Sequence, residues 1–571
     1  MNSIVLTLIG LAIILAGYLL YSKFIGGKLY RLNDANVTPA HEFQDGVDFV
    51  PTNKYVLWGH HFTSVAGAAP IVGPAVAVIW GWAPAFLWVT LGTVFFAGMH
   101  DLGALWASIR NKGQSIGTLS GRYIGNRGRN LFLVVIFLLL LMVNAAFATV
   151  ISNLLVSQPT SVIPVWGAIV VALLIGQAIY KFKWNLVVVS IVGVVALYAL
   201  ILVGDRFPIS LPDTIMGMSA GAFWVLILFV YAGIASLLPV WMLLQPRDYI
   251  NGLQLFIGLG LLYGAILLSN PTIVAPAYNN NLPPDTPSIV PLLFVTIACG
   301  AISGFHGMVA SGTSSKQLDK ETDARFVGYF GAVGEGLLAL GTIIAVTAGF
   351  ESLASWEETY SAFNQGGVVA FVQAGGSILN SGIGLPESLS ATVLATMAVL
   401  FAATTMDTGV RLQRYVVEEI GGLMKFKVNT VVATIIVLVC GMGLAFGADI
   451  TGSGAGGMVI WPLFGTTNQL MAALTLAIIT VMLVRLRRTI LPVVIPLVFV
   501  LVMTVYALIV QLGQFYAAGN WLLVVLDIII LVASIWVIFE SAMAIGKARK
   551  EGPDLTDDPQ LAEEHSGAQR R

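Results

Sequence analysis

The stretch W-G-H-H-F-T-S-V-A-G-A-A-P-I-V-G-P, residues 58–74, places glycines, prolines and two histidines inside an apolar run long enough to cross a membrane. A bilayer core holds no water for freed N–H and C=O groups, so irregular backbone occurs there only where protein packs around it or where it lines a cavity. Interrupted apolar segments of this kind are the best sequence sign of a transporter's binding site. The stretch therefore predicts a membrane helix broken near 66–70, rather than one that is merely kinked for close packing.

The composition is that of an integral membrane protein. Hydrophobic residues make up 57% of the 571 residues and charged residues 10%, whereas soluble domains carry roughly 25% charged residues. The apolar runs are long and continuous, which favours helices over barrel strands of about ten alternating residues. Cys299 and Cys440 both lie in apolar runs, so neither a disulfide framework nor a cysteine metal site is expected. The net charge of −1 gives no sign of a nucleic-acid partner.

Apolar runs of about 20 residues predict an all-α polytopic protein with about 15 transmembrane helices. The predicted spans are 3–22, 56–79, 83–108, 130–156, 162–180, 185–204, 220–243, 252–270, 290–314, 326–350, 387–410, 429–447, 458–484, 489–513 and 520–545.

The basic residues assign a side of the membrane to each loop. Five of them lie between Arg110 and Arg129 without any acid, so this loop is expected inside. Alternating from there, only Arg206 of the 28 basic residues falls outside. The first run, which lacks a basic leader, is interpreted as a retained helix, with the N-terminus outside and the C-terminus cytoplasmic. The outer loops Asn270–Ser288 and Glu351–Pro386 either cap a vestibule or are solvated connections, and the tail 551–571 is predicted to be disordered.

Span seven predicts a second break. It reads F-W-V-L-I-L-F-V-Y-A-G-I-A-S-L-L-P over 223–239, with its weak point at Ala232–Ser236 and Pro239 one turn on. Span two runs outwards and span seven inwards, five spans later. Two five-helix units of opposite topology, each opening with a broken helix, form an inverted repeat. The prediction is one transmembrane domain, 1–550, with a core at about 55–412 and peripheral helices at 1–25 and 428–546.

Four motifs carry a family resemblance. They are G-H-H-F-T-S-V-A-G-A-A-P-I-V-G-P-A at 59–75, L-L-P-V-W-M-L-L-Q-P-R-D-Y at 237–249, G-F-H-G-M-V-A-S-G-T-S-S-K-Q at 304–317 and W-P-L-F-G-T-T-N-Q-L at 461–470. As a set they resemble the carbon starvation protein CstA family. The resemblance implies an inner-membrane secondary transporter that imports pyruvate or short peptides through a LeuT-like core.

The residues at the breaks suit a substrate with a carboxylate. The start of the second half-helix carries a partial positive charge, and free N–H groups there can hold an anion. Small residues let the backbone approach the ligand closely. The predicted substrate-binding residues are His61, Ser64, Gly67, Ala68, Ala69 and Pro70 in span two, with the hydroxyls of Tyr231 and Ser236 in span seven. For those two hydroxyls, ordinary hydrogen bonding between helices is an equal alternative.

Two kinds of coupling are compatible with the polar residues of the core. Histidine can change its charge near neutral pH, so a proton carried by the pair His60/His61, by His306 or by Glu335 is ranked first. The second hypothesis is sodium. On a helix, Ser303, His306, Ser311 and Ser314 share a face, and in a LeuT-like core this eighth helix commonly supplies hydroxyls to sodium. Its candidates here are Ser311, Thr313 and Ser314, although small polar residues also serve as packing contacts between helices.

Other classes of function remain as alternatives. His60, His61 and His100, with Asp101, are candidate ligands of a metal-binding membrane protein, but no pair of histidines has the i, i+4 spacing that shares a helix face. A membrane nutrient sensor would bind the same ligand without moving it. No signature of an enzyme or of a cofactor site is present in the sequence. A transporter that is not an enzyme, with no cofactor and with membrane lipids around it, is the preferred interpretation.

Overall fold

The computed structural model describes residues 2–46, 48–239, 242–284, 286–363, 365–448 and 456–551. The predicted disordered tail 551–571 lies outside them, apart from Glu551, which ends a helix. The described helices are α1 Ser3–Ala16, α2 Ser22–Phe24, α3 Pro39–Glu42, α4 Lys54–Ala66, α5 Ala69–Ala77, α6 Trp82–Gly92, α7 Gly98–Ile109, α8 Ile116–Tyr123, α9 Asn126–Ser157, α10 Val162–Gly176, α11 Leu186–Arg206, α12 Ala220–Leu237, α13 Leu244–Ser269, α14 Ile289–Thr296, α15 Gly304–Gly312, α16 Phe330–Ala348, α17 Leu353–Thr359, α18 Gly367–Ile383, α19 Glu387–Leu423, α20 Thr430–Gly447, α21 Gly456–Arg485, α22 Leu491–Ala517 and α23 Trp521–Glu551. A small ribbon pairs β1, Thr214–Ile215, with β2, Met218–Ser219.

The protein is a helical membrane protein, as its composition predicts. Within the described residues, 13 helices are long and apolar enough to cross a bilayer, or up to 14 if the bent pair Lys54–Ala66 and Ala69–Trp80 forms one span. The two longest single helices, α9 and α19, pack against each other along with α21 and form the centre of the buried core.

The first predicted break is present. Helix α4 ends at Gly67, whose φ of 52° and ψ of −159° lie in a region that is essentially restricted to glycine. Helix α5 begins two residues later with Pro70 in its first turn, where the missing N–H of proline costs no helical hydrogen bond. The two halves are bent by 46°. Gly67 and Pro70 therefore separate one apolar segment into two half-helices.

The prediction of a second break in span seven is wrong. Helix α12 runs unbroken through Ala232–Ser236 to Leu237. Pro239 stands beyond the end of this helix, so the proline terminates the helix instead of interrupting it. Gly233 lies within the continuous helix, where it allows close packing against α20: a Cβ added there would lie 2.6 Å from Leu438.

The second broken segment is span nine. The predicted helix 290–314 is instead α14 and α15, separated by the non-helical residues 297–303, where Gly300 has a φ of 93°. Ser303 precedes α15 and Ser314 follows it, so the predicted shared face of one continuous helix does not exist. Predicted spans three to eight lie between the two broken segments, which is two more than the five-plus-five scheme places there.

The two broken segments lie side by side and antiparallel. Along the first segment, Gly73 packs against the backbone of Thr296, and Pro70 lies near Gly300. At the other end, His61 is hydrogen-bonded to Ser314. Residue numbers fall along one segment as they rise along the other, so the breaks at Gly67 and Gly300 lie at similar depth.

The predicted outer loop Glu351–Pro386 contains two helices, α17 and α18. Close contacts place α18 against the ends of four helices: Ala374 lies against Gly349 after α16, Gly376 against α19 and Gly382 against Ala265 of α13, and a Cβ added at Gly367 would lie 4.0 Å from Val76 in α5. The glycines that allow this packing also lower the hydropathy of the segment, and the sequence analysis therefore assigned it to a loop. The segment is therefore helical and packed against the core, and whether it caps an outer vestibule stays a prediction.

Candidate substrate and coupling site

A cavity of about 660 Å³ opens among the basic loops and reaches inward to α4 and α15. Its charged lining residues include Lys112, Lys316 and Arg411 together with Asp48, Asp248 and Glu419. Both signs of charge are present, so the cavity suits a substrate with a carboxylate or with both charges. Ser64 lines its inner part, one helical turn before the break at Gly67.

The mouth of this cavity is partly built by the segment before α4. Thr38 donates a hydrogen bond to the carbonyl of Leu318 at 2.7 Å, and Lys54 lies 3.9 Å from Asp323. Burial raises the pKa of the Asp323 carboxyl, which Lys54 opposes. Phe49, from the same segment, lines the cavity. The segment therefore attaches the chain before the first broken helix to the chain after the second.

The predicted substrate residues of span two divide into two groups. Ser64 lines the cavity and donates its hydroxyl to the carbonyl of His60 at 2.8 Å. Residues 67–70 are buried beyond the cavity's inner end. A Cβ at Gly67 would lie 2.5 Å from Thr405 Oγ1. No side chain caps the start of α5, which leaves this helix start without a side-chain acceptor.

Tyr231 belongs to a buried charge cluster. Its hydroxyl donates to Asp407 Oδ2 at 3.0 Å and accepts from Arg247 Nη1 at 2.8 Å. Arg247 also pairs with Asp407 directly and, at 3.0 Å, with Asp248. Ser236, the other predicted hydroxyl of span seven, donates to the carbonyl of Gly233 at 2.9 Å. Both hydroxyls therefore make hydrogen bonds within the protein.

The adjacent histidines point in different directions. His60 lines the cavity, with its Nδ1 3.8 Å from Asp248 Oδ2. His61 is fully buried and its Nδ1 lies 2.8 Å from Ser314 Oγ. The ring edge of His61 faces α16, where a Cβ at Gly331 would lie 2.9 Å from it. Consecutive helical residues do not share a face, which is why the two rings contact different partners.

His306 lies at the centre of the second buried cluster. Its Nδ1 is 2.8 Å from Asp101 Oδ2, and its Nε2 is 3.2 Å from Glu335 Oε2. His100 Nδ1 lies 2.8 Å from the other oxygen of Asp101. All four side chains are fully buried. The structure therefore brings together His306 and Glu335, as coupling candidates, with Asp101 and His100, which the sequence analysis had considered only as metal ligands.

Two of the three hydroxyls of the sodium hypothesis have hydrogen-bond partners within the protein. Ser311 Oγ donates to the carbonyl of Gly307 at 2.7 Å and accepts from the Ile116 N–H at 2.9 Å. Ser314 is paired with His61, and Thr313 lines the cavity. These three residues lie at the end of α15 on the cavity side, with two of the hydroxyls already hydrogen-bonded.

Asn468 is a polar residue that the sequence analysis did not single out. It lies in the motif at 461–470, and its Oδ1 accepts from the Phe305 N–H at 2.9 Å. Its Nδ2 donates to Ser303 Oγ at 3.0 Å. Asn468 thus satisfies the start of α15 from a distant helix. The only signal in the sequence is an amide side chain within an apolar run.

The metal hypothesis gains no geometric support. Among the residues that the structure describes, no group of three or more His, Cys, Asp or Glu side chains could hold a metal ion. His100 is bound to Asp101, while His60 and His61 face other partners.

The amino-acid sequence matches a family model and several characterised transporters. The family model described as carbon starvation protein CstA matches residues 2–351 and 348–507. The pyruvate/proton symporter BtsT of Escherichia coli is 30% identical, with 89% of this chain and 83% of the relative covered. The peptide transporter CstA of Campylobacter jejuni is 31% identical, with 91% of this chain and 81% of the relative covered. The peptide transporter CstA of Bacillus subtilis is also 31% identical, with 89% of this chain and 90% of the relative covered.

A solved structure shares the fold at low sequence identity. The manganese transporter of Eremococcus coleocola, in complex with an aromatic bis-isothiourea substituted compound, superposes with a TM-score of 0.50 at 12% identity, covering 88% of this chain and 99% of that one. The likeness concerns the fold alone. The family match and the relatives extend over most of the sequence, and the chain belongs to the carbon starvation protein CstA family.

Proposed function

We propose that this protein is a secondary active transporter that imports small carboxylates such as pyruvate, or short peptides, by alternating access. The observation that carries the proposal is the antiparallel pair of broken helices at the inner end of the 660 Å³ cavity. Paired broken helices place half-helix ends and free backbone groups around a substrate. The names of the relatives, a pyruvate/proton symporter and peptide transporters, support the same substrates.

The proposed architecture is a LeuT-like inverted-repeat core. Its two broken helices are 54–80 and 289–312, and residues of the predicted core, about 55–412, surround them. Because six predicted spans separate the breaks, two of them lie outside the first five-helix unit. A second five-helix unit that begins at the second break takes predicted spans nine to thirteen and reaches about residue 484, so the peripheral spans of this scheme are those at 1–25 and after 485. Asn468, which reaches the second break, then lies within the second unit. The 13 single spans, the bent pair at 54–80 and the broken segment at 289–312 together give 15 crossings in this scheme.

The proposed state is open to the cytoplasm. The cavity opens among the basic loops, which the positive-inside rule assigns to the cytoplasm of an inner-membrane protein. Helix α18 covers the opposite ends of the core, and Tyr360 beside α17 donates a hydrogen bond to the carbonyl of Ala75 at 2.7 Å. In this state, substrate enters or leaves past Ser64, and its carboxylate reaches the uncapped start of α5 once Gly67 and its neighbours separate.

The proposed coupling ion is a proton. His60, His61, His306 and Glu335 lie on α4, α15 and α16, so a protonation change there acts on both broken segments. The competing sodium hypothesis uses Ser311, Thr313 and Ser314, of which two hydroxyls already have protein partners.

Uptake by purified protein in liposomes tests the function and the coupling together. With labelled pyruvate and a labelled dipeptide, an inward proton gradient should drive accumulation above the external concentration. A sodium gradient at equal pH should not drive it. Accumulation that needs sodium and ignores the proton gradient would replace the proton with sodium. Saturable binding without flux of either substrate would favour the sensor.

A further inference from the structure

The Asp101–His306–Glu335 trio has an unusual hydrogen-bonding requirement. Both ring nitrogens of His306 face a carboxylate, at 2.8 Å to Asp101 and 3.2 Å to Glu335. A neutral imidazole has one N–H and one lone pair. If both acids were ionised and the ring neutral, one lone pair would face a carboxylate in a fully buried site. Burying an unpaired charge against a like partial charge is strongly unfavourable.

The trio therefore needs one proton more than it would hold with two ionised carboxylates and a neutral imidazole. Either His306 is an imidazolium between two carboxylates, or one carboxyl is neutral and donates to the ring. Both forms carry the same net charge of the trio. His306 Nδ1 and Asp101 Oδ2 are within hydrogen-bonding geometry, and the Nε2 and Oε2 atoms of His306 and Glu335 are close to each other without it. Groups that interact this closely titrate together.

We infer that Asp101, His306 and Glu335 form a three-residue site that binds the coupling proton as a unit, with Asp101 as a required member. This deepens the proposed function and rests on it for the link to transport. The three residues lie on three different helices: Asp101 on α7, His306 on α15 and Glu335 on α16. The proton therefore holds α15, the inner half of the second broken segment, between two helices of the core.

Loss of the proton explains how the site would act on α15. Without it, the His306 lone pair and a carboxylate would repel each other across the contact between α15 and α7 or α16. Separation of α15 from one of them relieves this repulsion. Because His61 on α4 is bonded to Ser314 just after α15, such a movement is transmitted to the first broken segment as well.

The other polar groups around the trio leave this requirement unchanged, although the Nε2 atoms of His61 and His100 are buried without a hydrogen-bond partner. From α7, His100 binds the second oxygen of Asp101. From α4, His61 faces Gly331, one turn before Glu335, and binds Ser314. Cys299 lies against Ser303 and Asn468. Among the described residues, no lysine or arginine pairs with Asp101 or Glu335.

Spectroscopy of the intact protein in lipid tests the site without any substrate. Nitrogen NMR of histidine-labelled protein detects an imidazolium, and infrared spectroscopy detects a protonated carboxyl. At neutral pH we expect one of these signatures, assigned by its disappearance in His306→Gln or Glu335→Gln. It should also disappear in Asp101→Asn, because the amide N–H can donate to Nδ1 while a neutral ring donates from Nε2 to Glu335.

Transport supplies the second measurement. Asp101→Asn should lose proton-driven accumulation and the release or uptake of a proton on substrate binding, while it keeps exchange of labelled for unlabelled substrate. Asp527→Asn is the matched control, since Asp527 is a buried acid on α23, remote in sequence from the trio, and should accumulate substrate normally.

Each outcome decides the proposal. Glu335→Gln provides a second variant if Asp101→Asn fails to fold, since its amide also satisfies the ring without an added proton. A neutral His306 with both carboxyls ionised in the wild type would overturn the site. So would undiminished proton-driven accumulation in both variants. If the wild type moved neither pyruvate nor peptide, the spectroscopic result would still decide whether the trio binds a proton, and the proposed function alone would fail.

Discussion

His61 Nδ1 and Ser314 Oγ lie 2.8 Å apart and connect the two broken segments on the cavity side of their breaks. His61 is on α4, and Ser314 follows α15. The half-helices that border the cavity are therefore fastened to each other by a buried hydrogen bond. We expect them to move together when the cavity opens or closes.

Ser314→Ala should weaken this connection. It leaves a buried ring nitrogen of His61 without its partner, at a cost of about 1–3 kcal/mol. The expected result is a lower melting temperature in detergent and slower uptake in liposomes. Ser269→Ala is the control, because that hydroxyl bonds to Ala265 within its own helix. Equal changes in the two variants would contradict a role for this contact in holding the segments together.

Gly67→Ala should impair transport more than a helical glycine substitution does. The glycine-only backbone conformation adds about 1–3 kcal/mol of strain, and the new Cβ would lie 2.5 Å from Thr405 Oγ1. We expect strongly reduced uptake by protein that still inserts into the membrane, and a larger side chain, as in Gly67→Leu, should abolish it. Gly260→Ala, where an added Cβ meets nothing within 4 Å, should transport normally. Normal uptake by Gly67→Leu would place the substrate elsewhere.

Arg247→Met should destabilise the protein by about 3–5 kcal/mol, because it leaves buried acids without their cation. The guanidinium pairs with both Asp407 and Asp248. Melting temperatures report the change, with the exposed Arg549→Met as control. The double variant Arg247→Met/Asp407→Leu should be more stable than Arg247→Met alone, because one of the two uncompensated acids is removed. No recovery would mean that packing of Arg247, and not its charge, stabilises the cluster.

The orientation in the membrane can be measured with cysteine labelling. Tyr278, 56% exposed, lies in the Asn270–Ser288 loop, and Met424, 63% exposed, lies among the basic loops. An impermeant maleimide should label Tyr278→Cys in intact cells and Met424→Cys only after the membrane is opened. Cys299 and Cys440 are buried and half-buried, so unmodified protein serves as the background control. The reverse pattern would invert the topology.

The sequence predicted those features that depend on local composition. Long apolar runs mark most membrane helices, and Gly67 with Pro70 marks a break because both residues act on their own backbone. Span seven was misjudged because it contains the same residue types, Gly233 and Pro239, in different surroundings. Gly233 packs against Leu438 within the helix, and Pro239 follows the end of the helix. Local sequence does not distinguish a glycine that packs from one that breaks a helix.

The candidate site was predictable only in part, since its members come from distant segments. His306 and Glu335 stood out as titratable residues in apolar runs. Two other contacts follow from tertiary packing alone. Asp101 faces His306, 205 positions away in the sequence, and Asn468 accepts a hydrogen bond at the start of a helix 163 positions away. The same holds for Arg247, which was expected in a loop and is instead fully buried at the start of α13.

Helix α14 lies between two surfaces that have no side chains at the point of contact. Gly73 of α5 meets the backbone of Thr296 on one side, and Gly465 of α21 meets the carbonyl of Val295 on the other. Interlocked side chains resist displacement, whereas smooth backbone surfaces do not. Phe294 on the same helix is an interlocked side chain of this kind, since its ring packs against the rings of Trp88 and Phe499. Any movement of α14 must therefore carry these aromatic neighbours with it, although two glycines let its backbone pass close to α5 and α21.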